Sequence, residues 1–206
     1  TNEALKTINA RDLWWHLIYT RAETGEPYII NIDLCNELMP EEQKKLGLHI
    51  SQSNLCSEIM LPTSEERTAV CCLSSVNLEH FDKWSKDELF IKDLVVMLDN
   101  VLEHFIENIV DTDNLKEYSA NFKRFKSYVK EDKEGLVKAA YSAYRERSIG
   151  LGAMGFHSYL QSRGLPFEGL FAASFNHRAF STIKDRANEA TLALGEDRGE
   201  APDMAG

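Results

Sequence analysis

Three observations in the sequence predict an α/β fold built as one unit. Two short runs rich in β-branched, aromatic or small apolar residues, PYIINI at 27–32 and AVCCLSSVNL at 69–78, read as strands. Apolar residues at helical spacing surround them, most plainly in the stripe Leu94, Leu98, Val101, Leu102, Phe105, Ile106 and Ile109. No internal repeat and no Pro- or Gly-rich linker divides the 206 residues, so 1–206 reads as one domain with no separate second one.

Each element has its own local reason. Asn9 is placed to cap a helix over 10–23, in which Leu13, Trp14, Leu17 and Ile18 recur at helical spacing, and Gly25 suits its stop. A helix feeding the mostly apolar run at 27–32 is a unit of α/β architecture. Pro40 opens a helical turn within 40–48. Pro62 and the polar TSEERT at 63–68 make a surface loop before the strand at 69–78. Ser85 with Glu88 predicts a capping box in front of the long helix. Residues 111–133 are charged and aromatic and read as a surface segment, with Lys123, Arg124, Lys126 and Lys130 on a solvated helix face. A helix over 134–145 leads into RSIGLGAMG at 147–155, a strand followed by a tight turn. The last helix is expected over 171–194, with Gly195 and Gly199 near its end.

Composition narrows the function. Hydrophobic residues at 43% and charged residues at 27% are those of a globular chain, which excludes disorder. Asp and Glu number 33 against 23 Lys and Arg, so a polyanion binder is excluded for lack of clustered cations and no nucleic-acid polymer is expected as a partner. No apolar run approaches the ~18–20 residues of a membrane span, and TNEALKTINA at the start lacks a basic-then-apolar signal, so a cytoplasmic setting without membrane contact is expected. Cys35, Cys56, Cys71 and Cys72 contain no C-x-x-C pair, so no metal site is predicted; vicinal Cys71 and Cys72 are poorly placed to bridge each other. GLGAMG fits G-x-G-x-x-G at Gly150, Gly152 and Gly155, but AYRERS before it is polar and no second strand with an acidic end follows. Those glycines read instead as places where two backbones pass closely.

The stretch Ser53-Asn54-Leu55-Cys56-Ser57-Glu58-Ile59 sets an amide, a thiol and a carboxylate at every second residue. If extended, it shows all three on one face. Nearby negative charge raises a thiol's pKa, which argues against papain-like nucleophilic chemistry. It suits a neutral thiol used for hydrogen-atom transfer, with the carboxylate as acid or base toward a substrate hydroxyl. The same spacing also fits a partly buried loop with a passive cysteine.

QSNLCSEIMLPT followed by AVCCLSSVNL closely resembles the active-site region of the large, catalytic subunit of class I ribonucleotide reductase. RAETGEPYIINIDLCN resembles that family's approach strand and RSIGLGAMGFHSYL its R-x-I-G-x-G segment, so the likeness runs in order from about residue 10 to the end. The resemblance implies part of a ten-stranded α/β barrel, with a finger loop at about 52–60. It implies that Cys56 becomes the thiyl radical that takes the 3′ hydrogen of a ribonucleoside diphosphate. Glu58 then removes the 3′-hydroxyl proton, Asn54 holds substrate and intermediate, and Cys71 is one half of a redox-active pair. Cys72 is expected to be a bystander, and Cys35 has no catalytic counterpart.

The resemblance also implies what this chain does not carry. The other redox cysteine, the phosphate loop, the radical-relaying tyrosines and the thioredoxin-facing cysteine pair have no match here. With no initial Met, the chain is expected to be the middle of a catalytic subunit, excised or from a split gene, and inactive by itself. Implied partners are the remaining large-subunit segments, a small subunit holding the radical cofactor, and thioredoxin or glutaredoxin as reductant. No cofactor is expected on this chain itself. The alternative is a non-catalytic fragment or assembly module that keeps the fold without turnover.

Overall fold

A computed structural model of the chain describes residues 6–113, 115 and 121–205. The Asn9 side chain accepts from the Arg11 N–H at 2.9 Å and starts α1 (Ala10–Thr24), while Gly25, in the left-handed conformation, returns its N–H to the Arg21 carbonyl and stops it. Two short helices follow: α2 (Ile32–Glu37), capped by Asn31, and α3 (Glu41–Lys45), entered through Pro40. An irregular stretch leads to β1 (Cys72–Asn77), a 3-10 turn over Leu78–His80 and the short α4 (Phe81–Trp84). The long α5 (Leu89–Ile109), α6 (Phe122–Lys126), a 3-10 turn over Glu134–Leu136 and α7 (Val137–Glu146) carry the chain to β2 (Ile149–Met154). Then come α8 (Phe156–Gln161) and α9 (Leu170–Arg198).

β1 and β2 pair in parallel, from Cys72 opposite Ile149 to Asn77 opposite Met154. Parallel neighbours cannot be joined by a hairpin, and α5 to α7 form the crossover. Strand alternation turns Leu73 to one face and Cys72 and Val76 to the other. The expected close approach is there: a Cβ at Gly150 would lie 2.5 Å from Leu73 Cδ2, and one at Gly152 3.1 Å from Ser75 Oγ.

α5 is the spine of two apolar clusters. Ile91 and Val95 on its first half pack with Val76, Phe81, Leu160 and Phe175, where Tyr159 and Phe175 stack at 3.6 Å between centroids. Leu102, Ile106 and Ile109 on its second half pack with Phe125, Ala140 and Tyr141.

Several expectations are corrected. Residues 27–31 form no strand: Tyr28 and Ile29 are 47% and 48% exposed, and no strand lies beside them among the described residues, so the backbone has no ladder to join. The Ser85–Glu88 box does not form. Ser85 closes α4, and the Leu89 N–H is capped by the Asp87 carboxylate at 3.0 Å. On α5 the stripe is shifted: Val101 is exposed and Asp99 is buried, because Arg147 pairs with its carboxylate at 2.7 Å and Arg198 joins them. The 111–133 segment is not all surface, since Phe125 and Leu115 are fully buried; residues 114 and 116–120 lie outside the described residues. α9 continues through Gly195 to Arg198, and Gly199 ends it.

Gly155 shows what the junction after β2 requires. It sits at φ 77°, and a Cβ there would lie 2.2 Å from Asn77 Oδ1, the atom that accepts from the Glu79 N–H. Gly155→Ala is therefore expected to cost about 2–3 kcal/mol, from left-handed strain plus a lost cap. Gly164→Ala, at φ 62° with nothing within 4 Å, should cost only ~1 kcal/mol. Equal shifts of the urea midpoint would contradict this difference.

Candidate active site

Residues 53–59 do not run extended. The Ser57 N–H donates to the Asn54 carbonyl at 3.1 Å and Ser57 takes φ 60°, which closes a tight turn. Asn54 organises it: Oδ1 accepts from the Ile59 N–H at 3.1 Å, and Nδ2 donates to Glu58 Oε1 at 2.6 Å. The Ser53 hydroxyl adds a bond of 2.7 Å to the Ile59 carbonyl. Cys56 stands at the apex, exposed, next to Leu55 at 90% exposure. A turn, then, and not strand alternation brings Asn54 and Glu58 together, with Cys56 between them in sequence.

The loop carrying this turn is held at its base. The Thr63 N–H reaches the His49 carbonyl at 3.2 Å, and Asn36 of α2 exchanges two bonds of 2.9 Å with the backbone of Ile50. Beside the loop lies a cleft of about 680 Å³, lined among others by Asn54, Ile59, Thr63, Arg67, Cys71 and Leu73. Burial pushes the Cys71 thiol up, and the neighbouring Cys72 and Glu58 add to it. Cys71 is thus kept as a protonated thiol, within electrostatic reach of Glu58. Cys72 turns the other way and packs against the second apolar cluster; burial raises its pKa as well. Cys35 is half-buried on α2.

Sequence reasoning missed a buried ionic cluster that touches the same cleft. Arg67 Nη1 donates to Glu146 Oε1 at 3.0 Å and to Asp203 Oδ2 at 2.5 Å, and Nη2 donates to Asp203 Oδ1 at 3.3 Å. Arg145 Nε donates to Asp203 Oδ1 as well, at 2.7 Å. Burial works against the Arg67 charge, but Asp203 and Glu146 outweigh it and hold its pKa above the ordinary arginine value. Burial drives the Glu146 carboxyl up to about 7 against the pull of Arg67, with Asp203 adding to the rise. No sequence signal joins 67, 146 and 203: the three lie on a surface-looking loop, a helix end and a tail, and only the fold brings them together.

Among the described residues, no group of three or more His, Cys, Asp or Glu side chains is arranged to hold a metal ion. No described helix is long and apolar enough to cross a membrane.

A parallel strand pair wrapped by helices, with a thiol-bearing loop beside a second cleft thiol, is an α/β arrangement. The chain belongs to the family described as ribonucleotide reductase, barrel domain, whose model matches residues 1–206. It is 48% identical over its full length to the ribonucleoside-diphosphate reductase large subunit of Invertebrate iridescent virus 3, covering 29% of that protein. A putative large subunit from Frog virus 3 (isolate Goorha) is 45% identical over 97% of the chain and 32% of its own length. Among solved structures, the Actinobacillus ureae class Id ribonucleotide reductase alpha subunit superposes with a TM-score of 0.77 at 34% identity, over 94% of this chain and 33% of that one. The chain spans about a third or less of the length of these relatives.

The Glu146 carboxyl fixes the sign of a pH effect. In the unfolded chain it ionises from about 4.5, whereas in the fold it keeps its proton to about 7. Between those values the folded state binds more protons, so stability falls as pH rises and then levels off. The full fall is about 3 kcal/mol. Glu146→Gln should remove it and leave the variant more stable than wild type at about pH 8. Parallel urea stability curves for the two proteins across this range would contradict it.

Proposed function

We propose that this chain carries the thiyl-radical core of a ribonucleoside-diphosphate reductase, acting as one barrel segment over 1–206 with its finger loop at about 52–60. In this reading Cys56 abstracts the 3′ hydrogen atom, Glu58 takes the 3′-hydroxyl proton, Asn54 holds substrate and intermediate, and Cys71 is half of the redox pair. The observation that carries it is the 2.6 Å Asn54–Glu58 hydrogen bond inside one turn, with Cys56 at its apex.

The chemistry balances on these groups. A thiyl at Cys56 takes the 3′ hydrogen, forming S–H and leaving a radical at C3′. Glu58 accepts the 3′-hydroxyl proton, which assists departure of the 2′ oxygen as water. The protonated Cys71 thiol and its partner supply two electrons and two protons as they close to a disulfide. Glu58 then gives its proton back to the 3′ oxygen, and Cys56 returns its hydrogen atom to C3′ and is a thiyl once more. Burial and the Glu58 charge both favour the protonated Cys71 that this sequence needs.

The likeness to an alpha subunit supports a separate small subunit as the source of the radical, and thioredoxin or glutaredoxin would re-reduce the disulfide in a reducing cytoplasm. α1 buries none of its residues and exposes Leu13, Trp14, Trp15 and Tyr19 around much of its circumference, apolar surface suited to the remaining large-subunit segments. That same exposed surface favours a second reading, an assembly module that keeps the fold without turnover.

Variants in the assembled enzyme separate the roles. Cys56→Ser should abolish all substrate radical chemistry, because an O–H bond is too strong for the exchange. Cys71→Ser should still lose the 3′ hydrogen but stall before reduction, giving free base and radical decay. Glu58→Gln should slow the first step by about 10²–10⁴-fold. Base release and radical decay are the measurements; identical behaviour of Cys56→Ser and Cys71→Ser, or equal damage from Cys72→Ser, would sink the assignment. If wild type assembles yet makes no deoxynucleotide, the assembly-module reading stands.

A further inference from the structure

Arg67 lies four residues before Cys71 on the wall of the same cleft, yet it is only 7% exposed and its guanidinium is turned inward to Asp203 and Glu146. Its backbone is fixed too. Ser64 and Arg67 exchange N–H···O bonds of 3.2 and 3.3 Å, and the Thr68 N–H donates to the Lys138 carbonyl at 3.4 Å. Beyond Cys71 the ladder to β2 begins at Cys72. The thiol therefore hangs on a short link between two anchors, one ionic and one a β-ladder.

Buried ion clusters contribute little net stability, because desolvation cancels much of their attraction; what they can specify is geometry. We propose that Arg67 is a positioning residue for Cys71: Asp203 and Glu146 lock its side chain, and through residues 68–71 the lock fixes where the thiol stands on the cleft wall. Its functional meaning rests on the reading of Cys71 as a redox thiol. The lock is pH-sensitive by construction. Glu146 Oε2 and Ser142 Oγ, one turn apart on α7, are buried with no hydrogen-bond partner among the described residues. Ionising Glu146 leaves a charged oxygen there without a donor, and that penalty loosens the lock. The charged groups around Glu146 are Arg67 from the loop, Arg145 from its own helix and Asp203 from the tail. Asp99, Arg147, Glu196, Arg198 and Glu200 line the groove on its other side.

Two measurements on the chain test this. First, alkylation of Cys71 by a neutral maleimide is followed by mass spectrometry against Cys35 in the same molecule. Arg67→Met should raise the Cys71 rate relative to Cys35 about tenfold, equivalent to ~1.4 kcal/mol of anchoring. A folded Arg67→Met with an unchanged ratio would overturn the proposal. Second, backbone amide exchange over 64–71, corrected for the chemical rate, is compared at about pH 5.5 and about pH 8. Wild type should lose protection several-fold on raising the pH, whereas Glu146→Gln should hold it level; if Arg67→Met does not fold, this result decides. A Glu146→Gln variant that keeps the wild-type pH response would overturn the proposal as well. Neither readout needs turnover. A reductase reading that fails at Cys71→Ser leaves the lock standing, and loss of the lock leaves that reading standing.

Discussion

Six residue pairs, Cys72–Asn77 against Ile149–Met154, join parts of the chain that lie far apart in sequence. Parallel pairing cannot form locally: the two strands are joined only through the long crossover of α5, α6 and α7. The long helix answers that demand, because its two halves carry the two apolar clusters and hold both strands against one spine. Glycines on β2 let Leu73 and Ser75 lie flat on the neighbouring strand. The cleft face of β1, with Cys71 just before it, takes its direction from this register. A slip by one residue would turn Leu73 to the apolar side and bring its neighbour to the cleft.

Around this apolar frame, charge is spent at the places where chain segments join. Asp99 on α5 receives Arg147 from the end of α7 and Arg198 from the end of α9. Arg67 joins a loop, a helix end and a tail. Asp82 receives Arg163 at 2.5 Å, and that guanidinium also lies 3.6 Å from the Tyr159 ring centroid. In each case arginine is the cation, as its planar fork suits contact with several groups at once. Directional contacts of this kind fix angles between elements that apolar packing alone tolerates within wide limits.

Local features were the legible ones. The Asn9 and Gly25 caps, the strand at Cys72–Asn77, the strand before Gly155 and the spine helix all follow from neighbouring residues, and the structure has them in place. What failed depended on distant partners. PYIINI has strand chemistry but no ladder beside it among the described residues, and Asp99 is buried because arginines from two other helices meet it. At the candidate site, the spacing reading set Asn54, Cys56 and Glu58 on one face of an extended segment, whereas the chain folds them into a turn. A left-handed Ser57 is not signalled by its identity, since serine has no preference for positive φ. The distinction between Cys71 and Cys72 is a strand-alternation effect, visible once the register is known.

The exposed tip of the loop has a chemical consequence of its own. Leu55 and Cys56 project from the turn into solvent, and a surface thiol is open to peroxide and to the sulfenic, sulfinic and sulfonic products that follow. The sulfur is exposed, and Asn54 and Glu58 on either side of it in sequence are hydrogen-bonded to each other. Whatever covers the tip must therefore also keep oxidants away. Covering the loop and protecting its thiol from irreversible oxidation become a single act of packing.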